Sequence, residues 1–198
     1  MGQYYAPVVI DGYGKITNLN LKLKGVEFNG VKLMEHSWLE NDFCQELCYR
    51  LSQRAKRLMW IGDYAESSDL ENIDKKLFEK ARKKVWSDRD TRTQLEKTYN
   101  AANFTIRGKY IVNYSKKEYI DIEKYVASLN IANPGKEWII HPLPLLTAIG
   151  NGKGGGDYHG VNEDQVGRWC GDVILVIAEK PPEEYSLLDI IFREEREP

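Results

Sequence analysis

Six of the eleven residues from Gly150 to Gly160 are glycine, and no other part of the chain restricts its conformation as much. A glycine ordered inside regular structure costs about 0.5–1 kcal/mol relative to alanine. A chain concentrates glycines in a loose tether, or where the backbone must turn sharply or approach something too closely for a side chain. Both uses are open to this segment. For the second, successive peptide N–H groups in a tight turn can converge into a concavity that holds an anion. Lys153 adds a point charge suited to phosphate, and Asp157, Tyr158 and His159 follow with a carboxylate, an aromatic face and an imidazole.

The expected ligand-binding set is therefore Gly150, Gly152, Lys153, Gly154, Gly155, Gly156, Asp157, Tyr158 and His159, with Trp169 as a stacking ring. If the loop holds an anion, its amides should converge on one point beside Lys153. Gly150-x-Gly152-x-x-Gly155 spells the dinucleotide fingerprint, and Asp172 follows at a tolerable distance, but that fingerprint requires a helix immediately after it. Asp157 to Asp164 is polar and turn-like instead. The Walker pattern also fails, because Lys153 precedes most of the glycines and no Ser or Thr follows it.

The flanking sequence indicates an α+β domain. Tyr4–Ile10, Leu19–Leu23, Leu58–Ile61, Tyr110–Tyr114, Glu118–Ile122, Trp138–Ile140 and Asp172–Ile177 are rich in β-formers or alternate as half-buried strands do. Ser115-Lys116-Lys117 reads as a hairpin turn. Asn41 and Asp42 can cap a helix to about Arg57, with Phe43, Leu47, Leu51 and Ala55 on its apolar stripe. A second helix is expected over about Leu70–Trp86, and a weaker third over Thr91–Ala101. These elements predict one domain over 1–198: a single, mostly antiparallel sheet with helices on one face. Residues 67–102 form a possible helical insertion at its edge, and the two ends of the chain share the sheet.

Charge and cysteines narrow the function. The net charge of −2 argues against a chain basic all over and built to coat nucleic acid. The basic run Lys75–Lys84 is most simply a solvated helix face, so nucleic-acid binding is not expected. Cys44 and Cys48 stand i, i+4 on one helical face, where a disulfide seldom closes, and Cys170 is distant. Free thiols in a reducing, cytoplasmic setting are expected. No paired C-x-x-C or H-x-x-x-H signature indicates a metal, and the residues specify no cofactor. No apolar run is long enough to span a bilayer, and the opening residues lack a signal-peptide pattern. Among the tryptophans, Trp60 and Trp138 read as core, whereas Trp38 and Trp169 adjoin polar turns.

Several blocks occur together: Met1-Gly-Gln-Tyr-Tyr5, Val31-Lys-Leu-Met-Glu-His-Ser-Trp38, Trp60-Ile-Gly-Asp-Tyr-Ala65, Leu143-Pro-Leu-Leu-Thr-Ala148 with Gly150-Asn-Gly-Lys-Gly-Gly-Gly-Asp-Tyr158, and Val166-Gly-Arg-Trp169. As a set they resemble a family of uncharacterised bacterial and phage proteins that share them in this order. The resemblance implies no activity. Carriage of some members on mobile elements implies a role in counter-defence or host takeover.

The leading expectation is a binding protein for a small phosphorylated or nucleotide-like ligand. One alternative is a hydrolase or transferase using Asp157, His159, Asp63 and Glu35. Another is a protein-binding inhibitor with no small-molecule pocket.

Overall fold

The computed structural model describes residues 2–23, 26–27, 30–69, 73–87, 93–96, 103–132 and 138–194. Its centre is β1 (Tyr5–Ile10), whose six residues are all buried. β1 runs antiparallel to β2 (Ile16–Leu23) on one side and to β4 (Lys56–Gly62) on the other, with Val8 facing Asn18 and Met59. Pro7 stands in this central strand without an N–H. Tyr5 exchanges backbone bonds with Val31 at 2.8 Å, and pairing with β2 begins only at Val8. The donor that Pro7 lacks points to that same edge, between the two contacts, so the sheet loses no bond there.

One mixed, mostly antiparallel sheet runs through both ends of the chain, as expected of an α+β domain. Its order is β10-β7-β6-β9-β4-β1-β2-β3, where β3 is Val26–Glu27, β6 Tyr110–Asn113, β7 Glu118–Asp121, β9 Val173–Ile177 and β10 Ser186–Leu187. The parallel pairings belong to short strands: β5 (Thr93–Glu96) on β2, β8 (Ala148–Ile149) on β4, and β10 on β7. The hairpin expected around Ser115–Lys117 is present, with Val112 opposite Tyr119.

The pleat sends side chains of β1 and β4 to two different cores. Tyr5, Val9, Leu58 and Trp60 join the larger one, while Ala6, Val8, Ile10, Met59 and Ile61 join the smaller. Over the larger core lie α1 (Leu33–His36), α2 (Asp42–Gln53), α4 (Ile122–Ala132) and α5 (Pro142–Leu146). The Asn41 side chain accepts from Phe43 N–H and Cys44 N–H, capping α2. Phe43, Cys44, Leu47, Cys48 and Leu51 are buried along its inner stripe. Both cysteines are free thiols facing this core.

Helical cover is not confined to that face or to the sheet's edge. α3 (Lys75–Arg82), capped by Asp74, continues into a π-helical turn over Lys83–Ser87. It packs Phe78, Ala81 and Val85 against Val8, Met59 and Ile61. The middle of the chain therefore seals the second face of the two most buried strands.

Several expected elements differ in extent or kind, among them the second helix, which starts at Lys75 where about Leu70 was expected, and α4 was not expected at all. α2 stops at Gln53, not Arg57, because Lys56 and Arg57 are taken up by pairing with β9. Thr93–Glu96 is strand where a helix was expected over Thr91–Ala101; the rest of that span lies outside the described residues. Trp138–Ile140 forms only a single bridge, from Ile140 to Trp38. α4 falls in a region expected to be β-rich, although Ile122, Tyr125, Val126 and Leu129 are spaced as a helical stripe and all are buried.

Phe78 is fully buried in the smaller core. Phe78→Ala should destabilise the whole domain by about 3–5 kcal/mol, measured as a shifted urea midpoint. A loss below about 1 kcal/mol would mean that the middle segment is a dispensable appendage.

A candidate ligand-binding cleft beside the glycine segment

The amides of the glycine segment do converge beside Lys153, and the anion they hold is the chain's own. The backbone N–H groups of Lys153 and Gly154 donate to Asp157 Oδ2 at 2.7 and 2.8 Å. The Tyr5 hydroxyl donates to Oδ1 at 2.6 Å. Asp157 is only 2% exposed, so each of these bonds to a carboxylate carries about 1.5–3 kcal/mol. Burial, together with the adjacent Asp157, pushes the Tyr5 phenol far above its ordinary pKa, which keeps it a proton donor.

Gly150 and Gly156 are required by this packing. Gly150 has φ +97°, and a Cβ there would lie 2.8 Å from the Cβ of Ala65. Gly156 has φ +96°, and its Cβ would strike the Lys32 side chain at 2.6 Å. Gly155 accepts from Gln3 N–H at 2.6 Å, and Gly156 accepts from Leu33 N–H at 2.9 Å. Asn151 clasps Tyr158 through both its amide oxygen and its amide nitrogen, at 2.8 and 2.9 Å. Gly152, also at positive φ, meets open space. The segment is thus folded onto β1, the Gly62 turn and α1. The Gln3 side chain, fully buried between Gly62, Gly150 and Gly154, has neither amide atom paired among the described residues.

The other residues of the expected set are placed as follows. The Lys153 ammonium pairs with Asp69 at 2.9 Å and Glu66 at 3.4 Å, and the bond to Asp69 raises its pKa. Tyr158 is fully buried, edge-on to Phe192, with its hydroxyl 2.6 Å from the Val161 carbonyl and accepting from Arg193 N–H. Trp169 is also fully buried and donates its indole N–H to Glu118 at 2.7 Å. Neither ring offers a face to a ligand in this conformation. His159 is exposed and lies 3.1 Å from Glu163. Glu35 binds Lys32, and Asp63 accepts Tyr4 N–H. Among the described residues, no hydrogen bond joins any two of Glu35, Asp63, Asp157 and His159 as an acid–base pair would require. Trp38, the other non-core candidate among the tryptophans, is half-buried, whereas Trp138, expected in the core, is 54% exposed and packs edge-on against Trp38 at 4.7 Å.

A buried Cys–His contact was not anticipated from sequence. His141 caps α5, its Nδ1 accepting from Leu143 N–H at 3.2 Å. That leaves the proton on Nε2, which points at Cys48 Sγ 3.3 Å away. Burial pushes His141 down to about 3, and burial, then Cys44, pushes Cys48 well up. The pair stays neutral, unlike the thiolate–imidazolium pair of a nucleophilic cysteine.

Space for a ligand lies next to the glycine segment. A cleft of about 420 Å³ runs between the start of α3 and two loops, and residues of 148–151 and 164–172 line it. Gly150 and Asn151 form one margin, Ile73 and Leu77 an apolar strip, and Arg57, Lys116, Arg168, Asp69, Asp74, Asp164 and Asp172 bring charge. The second loop is shaped by Gly167 and Gly171, at φ +85° and +78°. A Cβ at Gly167 would meet the Ala148 carbonyl oxygen at 2.7 Å. Arg168 forks onto Glu118 at 2.5 and 3.2 Å, and Lys116 pairs with Asp172 at 2.8 Å. Sequence reasoning missed Arg57, Lys116 and Asp164 as wall residues. The signal within reach was the pair Gly167 and Gly171 around Arg168-Trp169-Cys170, a second glycine-framed turn.

Compared with known protein families, curated proteins and solved structures, the chain matches none. Among the described residues no helix is long and apolar enough to cross a membrane.

Two measurements check this arrangement. Asp157→Ala leaves buried donors unanswered and should cost about 3–5 kcal/mol of stability. In a double-mutant cycle with Tyr5→Phe the coupling should exceed about 1 kcal/mol, whereas additivity within about 0.3 kcal/mol would mean that the bond is idle. His141 gives a pH signature. Its folded pKa lies below the unfolded value, so between about pH 6.5 and pH 3 the unfolded chain binds a proton that the folded chain refuses. Stability should fall with pH there, more steeply than in His141→Asn by up to about 1.4 kcal/mol per pH unit. Equal slopes in the two proteins would contradict the buried neutral imidazole.

Proposed function

We propose that the protein binds a small phosphorylated, nucleotide-like ligand in the cleft beside the glycine segment. The observation that carries this reading is the cleft's lining: cationic, carboxylate and apolar side chains around one space of about 420 Å³. Small-molecule sites occupy about 300–1,000 Å³ and combine apolar walls with a few placed polar groups. Guanidinium and ammonium groups suit a phosphoryl oxygen. Carboxylates accept from sugar hydroxyls or exocyclic amines, which an inorganic anion lacks. Ile73 and Leu77 offer a surface on which a planar base can lie.

In this reading the glycine segment contributes through Gly150 and Asn151, which border the cleft. Lys153, Gly154 and Asp157 hold those two residues in place from behind. The hydrolase or transferase reading has no acid–base pair to support it, for the reason given above. The counter-defence role implied by the resemblance is a proposal about where the ligand arises, and the binding reading does not depend on it.

Thermal denaturation with a panel of nucleotides and sugar phosphates tests the proposal. A ligand present at a hundredfold its Kd adds about 2.7 kcal/mol, a rise in Tm of roughly 5–10 °C for a domain of this size. No rise with any phosphorylated compound would refute the reading.

A further inference from the structure

The cleft's cations are not equivalent, and the difference narrows the ligand. Lys116 is neutralised by Asp172, which also accepts from Asn113 at 2.8 Å. Arg168 is neutralised by the carboxylate of Glu118, held by both Arg168 and Trp169. Among the described residues, Arg57 is the cleft cation with no carboxylate partner. One of its guanidinium nitrogens, Nη1, donates to the Gly171 carbonyl at 2.7 Å. That bond fixes the side chain, because the Gly171 segment is itself stitched to β4 by Gly171 N–H to Leu58 O and Leu58 N–H to Asp172 O, at 2.8 and 3.0 Å. The rest of the fork, Nε and Nη2, is left for a ligand.

The carboxylates show the converse. Asp69 is answered by Lys153, Asp172 by Lys116, and Asp74 by two amides at the start of α3. Among the described residues, Asp164 accepts only from its neighbour Gln165. Among the described residues the cleft thus presents one guanidinium without a carboxylate, Arg57, and two carboxylates without a cation, Asp74 and Asp164. A ligand with a single phosphoryl group and a donor-bearing remainder matches both. Each further phosphoryl group brings negative charge with no free cation to meet it and these carboxylates to repel it.

The geometry points to Arg57 as the phosphate anchor of a site selective for nucleoside monophosphates over nucleoside triphosphates. This inference rests on the binding reading above and names the ligand class for that cleft. Arg57 is exposed and makes one side-chain hydrogen bond, so its replacement should leave the fold intact, which circular dichroism checks.

The experiment is isothermal titration of the purified protein with adenosine, AMP, ATP, guanosine, GMP and GTP. Wild type should bind one monophosphate at least tenfold more tightly than its nucleoside and its triphosphate. Arg57→Ala should erase the gap between monophosphate and nucleoside while leaving nucleoside affinity within about twofold. Arg57→Lys, which keeps the charge but not the fork, should retain part of that gap. A triphosphate that binds more tightly than its monophosphate, or a gap unchanged in Arg57→Ala, would overturn the inference while leaving the binding reading in place. If none of the six compounds binds, the inference falls; the binding reading falls only if the wider phosphorylated panel also gives no rise in Tm.

Discussion

The carboxylate of Asp157 is the contact on which the arrangement of this protein turns. It is buried, it accepts from two consecutive amides of the glycine segment, and it accepts from the hydroxyl of Tyr5 on the central strand. A buried charge is tolerated only when bonded this fully. Through it the segment that would otherwise be the most disordered in the chain is fastened to the strand that is most buried. Gly150 and Asn151 adjoin that fastening, and across the cleft the Gly167–Gly171 loop is held by α5 and β4. Gly167 N–H and Trp169 N–H donate to Leu145 and Leu146 carbonyls at the end of α5, just before the strand that leads into Gly150.

This changes what the glycines are for. An anion-binding nest made of backbone amides can hold a ligand, or it can hold a side chain of the same protein. Here the side chain four residues on from Lys153 fills it, and Lys153 itself is drawn away to Asp69 and Glu66. The small residues then serve close packing against Ala65, Lys32 and Gln3. The open chemistry is displaced by a few residues to the other side of Gly150, where charged side chains from β4, the β6–β7 turn and the 164–172 loop meet the start of α3.

Much of the frame could be read directly from the sequence. The alternation of Leu19–Leu23, the Asn41 cap with its following stripe, and the Ser115–Lys117 turn are local signals, and each produced the expected element. What could not be read was decided by partners distant in the chain. Arg57 leaves the α2 pattern because β1 and β9 claim it as strand. No helix was expected over Pro142–Leu146, yet Pro142 and Pro144 stand in the first turn of α5, where proline gives up no helical bond. Trp169 and Trp138 exchanged their expected environments, since neighbouring polar residues say little about which side of a turn a ring falls on. The loop's internal occupant was in view as Asp157, four residues after Lys153. The cleft was not in view, because its wall draws on residues as far apart as Arg57, Lys116 and Asp164.

The glycine segment is a scaffold filled from within, and the proposed ligand would enter the adjacent cleft. Backbone amide resonances followed during titration with AMP and with GMP separate the two surfaces residue by residue. Shifts are expected at Asn151 and across Gly167–Asp172, with the amides of Lys153 and Gly154 unmoved because Asp157 still holds them. Large shifts at Lys153 and Gly154, with the 167–172 amides silent, would show that ligand displaces Asp157 from the nest and would contradict the account.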